Sequence, residues 1–145
     1  MNDALGFCLS LVRAQAALLR RFDGRLGSWH GISFGDFAIL LELSRAPGAR
    51  LRRVDLAAAV GLTPSAVTRA LIPLEKVGLI SRKADRHDAR VGYAVLTAAG
   101  RQRVEEALET AEMISQESVA DAGEHVGALS GALDRIAGRR LAAQL

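Results

Sequence analysis

Short hydroxyl side chains and an arginine occur together where a helix is predicted to begin, and their types suit contact with nucleic acid. An arginine can bond O6 and N7 of one guanine, hydroxyl groups can bond base edges or phosphates, and a helix N-terminus favours phosphate. The residues of this group are Thr63, Ser65, Thr68 and Arg69. The alternative for Arg69 is a solvent-exposed ion pair with Asp55. The combination predicts the leading half of a helix that reads the major groove of DNA.

The residues around this group have the spacing of a helix-turn-helix motif. Such a motif needs small residues where its two helices cross and one turn residue with an unusual backbone conformation. The residues that meet these needs are Ala57, Gly61 and Val67. We expect a short first helix over residues 54–60, followed by a second helix that Thr63 caps and in which Pro64 is the first residue.

A second group of cations lies in a polar segment between two stretches rich in β-forming residues, 79–83 and 91–96. These stretches predict a β-hairpin, and its strands are the only ones that we expect. The cations of the segment are Arg86, His87 and Arg90. Arginine on a narrow hairpin can enter the minor groove, where the negative potential is strongest. Because Asp88 would repel phosphate, we expect it to brace a guanidinium through a bidentate pair.

Basic charge is concentrated in the middle of the chain. Residues 45–90 contain ten arginines and lysines and four acidic residues, a net charge of +6, whereas the whole chain carries only +3. A basic segment of this kind is typical of a phosphate-facing module on a different scaffold, although a solvated surface loop would have the same charge. Arg52 and Arg53 belong to this segment and are further candidate DNA contacts.

The first third of the sequence predicts two helices. Apolar residues recur every three or four positions over residues 5–26, which indicates an amphipathic helix that ends at Gly24 and Gly27. Ser33 and Asp36 have the spacing of a capping box and so mark the start of a second helix. A Pro-Gly pair at residues 47–48 ends this helix.

The last third predicts a further pair of helices. Thr97 caps the first of them, whose apolar positions run over residues 104–114, and the second has apolar positions from Val126 to Leu141. Gly123 and Gly127 leave the position of their junction open. The whole order predicts a mainly α fold with one small hairpin.

Length and composition limit the classes of protein to which this chain can belong. A chain of 145 residues forms one domain, and a hydrophobic content of 50% favours apolar surfaces buried in a homo-oligomer. One cysteine, Cys8, excludes a disulfide framework and a Cys-rich zinc site, so neither a metal nor a cofactor is expected. No apolar run approaches the ~20 residues of a membrane span, and we expect a soluble, cytoplasmic protein without a membrane partner.

Catalysis is not expected either. The three histidines are scattered, and the sequence has no phosphate-cradling glycine loop, no His-Glu metal spacing and no Ser or Cys nucleophile motif. The alternative from another functional class is a winged-helix dimer that binds protein in place of DNA. Three exposed arginines at positions 69, 86 and 90 argue against it, because neutralising phosphate is their simplest common use.

The hairpin carries a family signature. Asp88-Ala89-Arg90, followed after five residues by Leu96-Thr97, matches the D-x-R-x5-L-T wing pattern, and the sequence resembles the MarR (multiple-antibiotic-resistance regulator) family from about residue 33 to residue 103. The resemblance implies a winged helix-turn-helix lobe over residues 33–97 and dimerisation helices over residues 1–28 and 98–145. It implies a homodimer on a pseudo-palindromic promoter site in double-stranded DNA, acting as a repressor, with activation as the alternative.

The resemblance also implies a control point. Family members respond to a small, often aromatic ligand between the dimerisation helices and the DNA-binding lobe, or to a thiol switch in another branch. Trp29, His30 and Phe34 are the candidate ligand contacts, against the alternative that the two aromatic residues belong to the core. Cys8 is the candidate redox thiol, but it has apolar neighbours and no nearby cation, which favours a buried structural residue.

Pro73 departs from an uninterrupted helix pattern. A proline there removes the hydrogen bond to the Arg69 carbonyl. We therefore expect a kink or a loosening of the recognition helix at this residue.

Overall fold

The computed structural model describes residues 2–138, which form six α-helices, three β-strands and two short 3-10 segments. The α-helices and strands are α1 (Asp3–His30), α2 (Phe34–Arg45), β1 (Arg50–Arg52), α3 (Arg53–Val60), α4 (Pro64–Lys76), β2 (Ile80–Ala84), β3 (Gly92–Leu96), α5 (Ala98–Val119) and α6 (Val126–Ile136). The 3-10 segments are Pro47–Ala49 and Ala120–His125. The predicted apolar position Leu141 lies outside the described residues.

The three strands form one antiparallel sheet in the order β1-β3-β2, with β1 between α2 and α3 and the β2–β3 hairpin after α4. The hairpin of β2 and β3 lies within one residue of its predicted bounds, but the prediction of only two strands was wrong. β1 pairs with the outer edge of β3, with Leu51 opposite Ala94. Its three residues are too few to show an alternating pattern, and the strand exists because β3, distant in sequence, supplies its hydrogen-bond partners.

Helix α1 is longer than the sequence indicated. Gly24 and Gly27 lie inside it, and it ends at Gly31, whose left-handed backbone (φ 66°) closes the helix. A glycine inside a helix costs only about 1 kcal/mol. Leu26, between the two glycines, is fully buried in the core, and this packing outweighs the cost and carries the helix on to His30.

Two predicted helix starts are confirmed. The Ser33 hydroxyl accepts a hydrogen bond from the Asp36 backbone N–H, and the Asp36 carboxylate accepts one from the Ser33 N–H, both at 3.0 Å. The Thr97 hydroxyl accepts a hydrogen bond from the Gly100 N–H at the start of α5. These side chains satisfy backbone donors that have no partner within the helix.

The core joins the helix-turn-helix to α1 and α5. Its fully buried side chains come from α1, α2, α3, α4 and α5 and include Leu26, Leu40, Leu56, Leu71 and Ile114. By contrast, α6 contains no buried residue, and the break before it lies at Gly123 in the 3-10 segment rather than at Gly127. The core therefore connects the lobe to α1 and α5.

Among residues 2–138, no single helix has the length and apolar character needed to cross a membrane. The bent pair formed by α3 and α4 meets those limits only when the two helices are taken together.

Candidate nucleic-acid interface

Helices α3 and α4 form the predicted helix-turn-helix. They are bent by 100° relative to each other, within the range typical of this motif. Gly61 lies between them with φ 71°, and its N–H donates to the Ala57 carbonyl. This positive φ favours glycine because it places a Cβ too close to the following carbonyl. Ala57 and Val67 are both buried, as the helix crossing requires.

The N-terminal half of α4 carries the predicted base-reading residues. The Thr63 hydroxyl accepts a hydrogen bond from the Ala66 N–H at 3.2 Å, and Pro64 is the first helical residue. The opposite face of the helix is buried in the core. Ser65 and Arg69 are exposed and Thr68 is half-buried. Within residues 2–138, no ion pair joins Arg69 to Asp55 or to another carboxylate, so its guanidinium is available to a ligand.

Pro73 does not end this helix. α4 remains α-helical through Pro73 and reaches Lys76. Leu71 and Leu74, on either side, are buried. Their packing holds the C-terminal half of α4 in place although one backbone hydrogen bond is missing.

The turn of the hairpin is braced by Asp88 and Arg90. Arg90 donates from Nε to one carboxylate oxygen of Asp88 at 3.0 Å and from an Nη atom to the other at 3.2 Å. This guanidinium lowers the pKa of Asp88, and the Arg90 backbone N–H adds to the effect. The Arg90 side chain is 91% exposed, so the pair orients the guanidinium without hiding it.

Asp85 organises the same turn and was not singled out from the sequence. One of its carboxylate oxygens accepts hydrogen bonds from the backbone N–H groups of His87 (2.8 Å) and Asp88 (3.1 Å), and the other accepts one from the Tyr93 hydroxyl (3.0 Å). The His87 N–H is the main reason that the pKa of Asp85 is lowered. An aspartate that opens a polar turn often bonds the backbone two residues on, and this pattern could have identified it.

The Tyr93 ring connects the turn to β1. The Cζ atom of Arg50 lies 4.8 Å from the ring centroid, and that of Arg52 lies 5.9 Å from it. Both distances allow a cation–π interaction. Arg53, in contrast, is the first residue of α3 and is half-buried. Of the remaining predicted contacts, Arg86 and His87 are exposed in the turn.

The three candidate ligand contacts at the end of α1 are not brought together. Trp29 is 60% exposed, so its interpretation as a core residue was wrong: the helix continues past Leu26 and turns Trp29 away from the core. The His30 Nε2 lies 2.8 Å from the Thr110 hydroxyl oxygen. Phe34 stacks on Phe22 with ring centroids 4.3 Å apart.

Phe34 alone of these three lines a cavity of about 700 Å³. Most of the other lining residues are apolar and come from α1, the end of α5 and α6, among them Leu18, Phe22, Val119, Leu129 and Leu133. The Ser118 hydroxyl oxygen also lies here, buried and without a hydrogen-bond partner within residues 2–138. The cavity can therefore take an apolar group with one polar atom.

Cys8 is exposed on α1. The interpretation of Cys8 as a buried structural residue was wrong for the single chain, because nothing within residues 2–138 packs over this end of α1. Its neighbours Leu5, Phe7 and Leu9 are also exposed. Over the same part of the chain, no three His, Cys, Asp or Glu side chains cluster as metal ligands would.

A helix-turn-helix with a capped second helix, followed by a small antiparallel sheet, defines a winged helix-turn-helix protein. The MarR family model matches residues 32–91. The transcriptional regulator BldR from Sulfolobus solfataricus is 30% identical, with a TM-score of 0.85 over 97% of this chain and 100% of that one. The chain belongs to the MarR family of winged-helix transcriptional regulators.

Two further proteins are similar to this chain. Sco3205 from Streptomyces coelicolor, a MarR family regulator solved in complex with DNA, has a TM-score of 0.86 and 23% identity over 100% of this chain and 97% of its own; this likeness shows the fold. The uncharacterized HTH-type transcriptional regulator YdgJ of Bacillus subtilis is 33% identical over 91 residues, 63% of this chain. The match spans 54% of YdgJ, about half of its length.

Proposed function

We propose that this protein binds double-stranded DNA sequence-specifically, with α4 in the major groove and the β2–β3 hairpin in the minor groove. The observation that carries the proposal is the pair of exposed cations on two adjoining elements. Arg69 projects from the capped N-terminal half of α4, and Arg90 is fixed in the hairpin turn by Asp88. Each supplies a planar guanidinium, the group best suited to bond guanine edges and to enter a narrow groove.

The remaining predicted contacts fit the same proposal. Ser65 and Thr68 offer hydroxyl groups to base edges or phosphates, and the Ser65 N–H at the positive end of α4 favours a phosphate. Thr63 itself is occupied in capping, so its contribution is to position the helix. The cations Arg52, Arg53 and Arg86 add attraction that does not depend on sequence, and the exposed His87 ring can donate a hydrogen bond to a phosphate.

Homodimerisation is the second part of the proposal. The N-terminal half of α1 and most of α6 expose large apolar side chains in the single chain: Leu5, Phe7, Leu9, Val12, Leu129, Leu133 and Ile136. An exposed apolar surface of this extent is typical of a protein interface. We propose that this apolar surface of α1 and α6 is the dimer interface within the dimerisation segments, residues 1–28 and 98–145, and that residues 33–97 form the DNA-binding lobe.

We expect a symmetric dimer to bind a pseudo-palindromic site. Two recognition helices reach successive major grooves when they lie about 34–36 Å apart. Binding across a promoter would exclude the transcription machinery, so we propose a repressor. Because its partner is DNA, we place the protein in the cytoplasm.

The most detailed part of the proposal is that a small aromatic effector controls DNA binding. The cavity beside Phe34 touches α1 and α6, which belong to the proposed dimer interface, and Phe34 begins the first helix of the lobe. A ligand there would change how the lobe sits on the dimerisation helices and so the spacing of the two α4 helices. Of the three predicted contacts, Phe34 supports this site, whereas Trp29 and His30 lie outside the cavity lining.

A thiol switch at Cys8 is the alternative form of control. Its exposure in the single chain favours oxidation by peroxide, but it lies among the apolar residues that the proposed dimer would bury. Mass spectrometry after peroxide treatment decides between the two. A Cys8 that stays reduced removes the redox alternative, and loss of DNA binding together with its oxidation supports it.

The test of DNA binding uses the DNA upstream of the protein's own gene and the variants Arg69→Ala and Arg90→Ala. We expect Arg69→Ala to weaken the free energy of DNA binding by about 1–3 kcal/mol for each base contact that is removed. The variant should also be less specific for the base at that position of the site. Arg101→Ala, which removes an exposed cation from α5, is the matched control and keeps the wild-type affinity. If both interface variants bind like the control, a winged helix that binds protein becomes the better account.

A further inference from the structure

The outer face of the three-stranded sheet carries cations in addition to Arg69 and Arg90, the two guanidinium groups that carry the proposed function. The strand register places Arg52, Tyr93 and Lys83 side by side in one row, with Arg50, Val95 and Ser81 in the next row on the same face. The opposite face contributes Ala94, Leu96 and Ile80 to the core. Arg50, Arg52 and Lys83 therefore point away from the core on one exposed surface.

Two of these cations, Arg50 and Arg52, are held in place by Tyr93. The Tyr93 ring packs against the guanidinium groups of Arg50 and Arg52, and its hydroxyl is anchored on Asp85. Over the described part of the chain, neither Arg50 nor Lys83 forms an ion pair. Like charges fixed close together repel one another, and a bound anion would offset this repulsion.

Two adjoining cavities lie between these cations. One of about 420 Å³ is lined by Arg50, Lys83, Arg86, His87 and Tyr93, and Asp85 is the only acidic side chain in its described lining. The Asp85 carboxylate is already occupied by three hydrogen bonds. The second cavity, of about 410 Å³, shares Arg50 and Lys83 with the first and continues along β1 to Pro47 and Gly48.

We propose that this outer face, which we define by Arg50, Lys83 and Arg86, is a second phosphate-binding surface that holds the DNA backbone beside the groove entered by the hairpin. The proposal rests on the proposed function. Two joined cavities form a groove that suits a chain of phosphates better than one small ion. Arg86 links the groove to the hairpin turn, so one DNA strand could pass from the turn along the sheet.

Salt dependence of DNA binding tests the proposal. Each phosphate contact contributes about 0.9 to the slope of log K against log salt concentration. Because the proposed dimer loses one contact in each protomer, we expect Arg50→Ala and Lys83→Ala each to make the slope shallower by about 1.8, and the double variant by about twice that amount. Arg101→Ala removes the same charge from α5 and should leave the slope unchanged. Circular dichroism checks that each variant is folded.

Phosphate ethylation interference gives an independent readout. Wild-type binding should be blocked by ethylation of phosphates at the outer edges of the site, and this interference should disappear in Arg50→Ala while that at the centre remains. If wild type binds the site but the slopes of Arg50→Ala and Lys83→Ala equal that of Arg101→Ala, the second surface is overturned and the proposed function stands. If wild type binds no site specifically, the proposed function itself has failed.

Discussion

The helix-turn-helix lobe and the terminal helices are both rich in apolar residues, but they place them differently. In the lobe, Leu40, Leu56 and Leu71 have at most 1% of their surface exposed. In α6, Leu133 and Ile136 are 40% and 60% exposed, and no residue of the helix is buried. The core of the lobe is completed within one chain by residues of α1 and α5, whereas the apolar surface of α6 stays exposed. The comparison teaches that one chain fixes the elements proposed to read DNA relative to one another, and that in the proposed dimer the spacing of the two α4 helices depends on the interface between the copies.

The largest effect is expected from a charge on α6. Leu133→Asp places an unpaired carboxylate in the proposed dimer interface, and an uncompensated buried charge costs about 3–5 kcal/mol, twice in a symmetric dimer. The variant should sediment as a monomer in analytical ultracentrifugation.

Val77→Asp, in the lobe at a residue that is 67% exposed, is the control and should remain a dimer. A Leu133→Asp protein that stays dimeric at wild-type strength would show that α6 is not part of the interface.

The second-largest effect is expected when a substitution leaves an empty space in the core of the lobe. Leu40→Ala removes a fully buried side chain, and such changes lower the free energy of unfolding by about 2–5 kcal/mol. Urea denaturation measures the change. Val77→Ala, at a residue that is 67% exposed, should alter stability by less than about 0.5 kcal/mol, and equal effects at the two positions would contradict the described core.

Removing the cap of α4 should have a smaller effect. Thr63→Ala deletes the hydroxyl that accepts from the Ala66 N–H, which costs about 0.5–2 kcal/mol. Thermal denaturation should show the loss, and Thr63→Ser, which keeps the hydroxyl, should restore stability. A Thr63→Ala protein as stable as wild type would mean that the cap adds nothing to α4.

The smallest effect concerns pH and the hairpin turn. Hydrogen bonds lower the pKa of Asp85 and of Asp88 below the ordinary value of 3.8. A carboxyl whose folded pKa is lowered stabilises the fold above its unfolded pKa, and this contribution is lost as the pH falls through the folded value. The turn should therefore keep its structure from pH 8 to about pH 4 and loosen only below it.

Carbonyl chemical shifts of the two aspartates measure this directly. Asp85→Asn provides the comparison, because it removes one titrating group and leaves the other. A midpoint above 3.8 for either carboxyl would contradict the hydrogen bonds described for the turn.

The lobe was largely predictable because its signals are local. Gly61 at a turn, the hydroxyl of Thr63 before a proline, and the capping box at Ser33 each depend on residues only a few positions apart. The hairpin was predicted for the same reason, since its two strands are separated by one polar segment.

The features that were missed depend on distant contacts. β1 is paired only because β3 lies beside it, and α1 passes Gly24 and Gly27 because Leu26 packs into a core made by other helices. The exposure of Trp29 follows from that longer helix. Cys8 is exposed because nothing within residues 2–138 covers the first turns of α1, which a pattern of apolar residues does not reveal.

The most direct test of the central claim compares the affinity of the wild-type dimer for its own upstream site with that for a scrambled duplex of the same composition, at physiological salt. Specific protein–DNA complexes are about 10³–10⁷-fold tighter than non-specific ones. We predict a preference within this range, together with protection of two half-sites about one helical turn apart. Equal affinities for the two duplexes would contradict the account, because the exposed residues of α4 would then read no sequence.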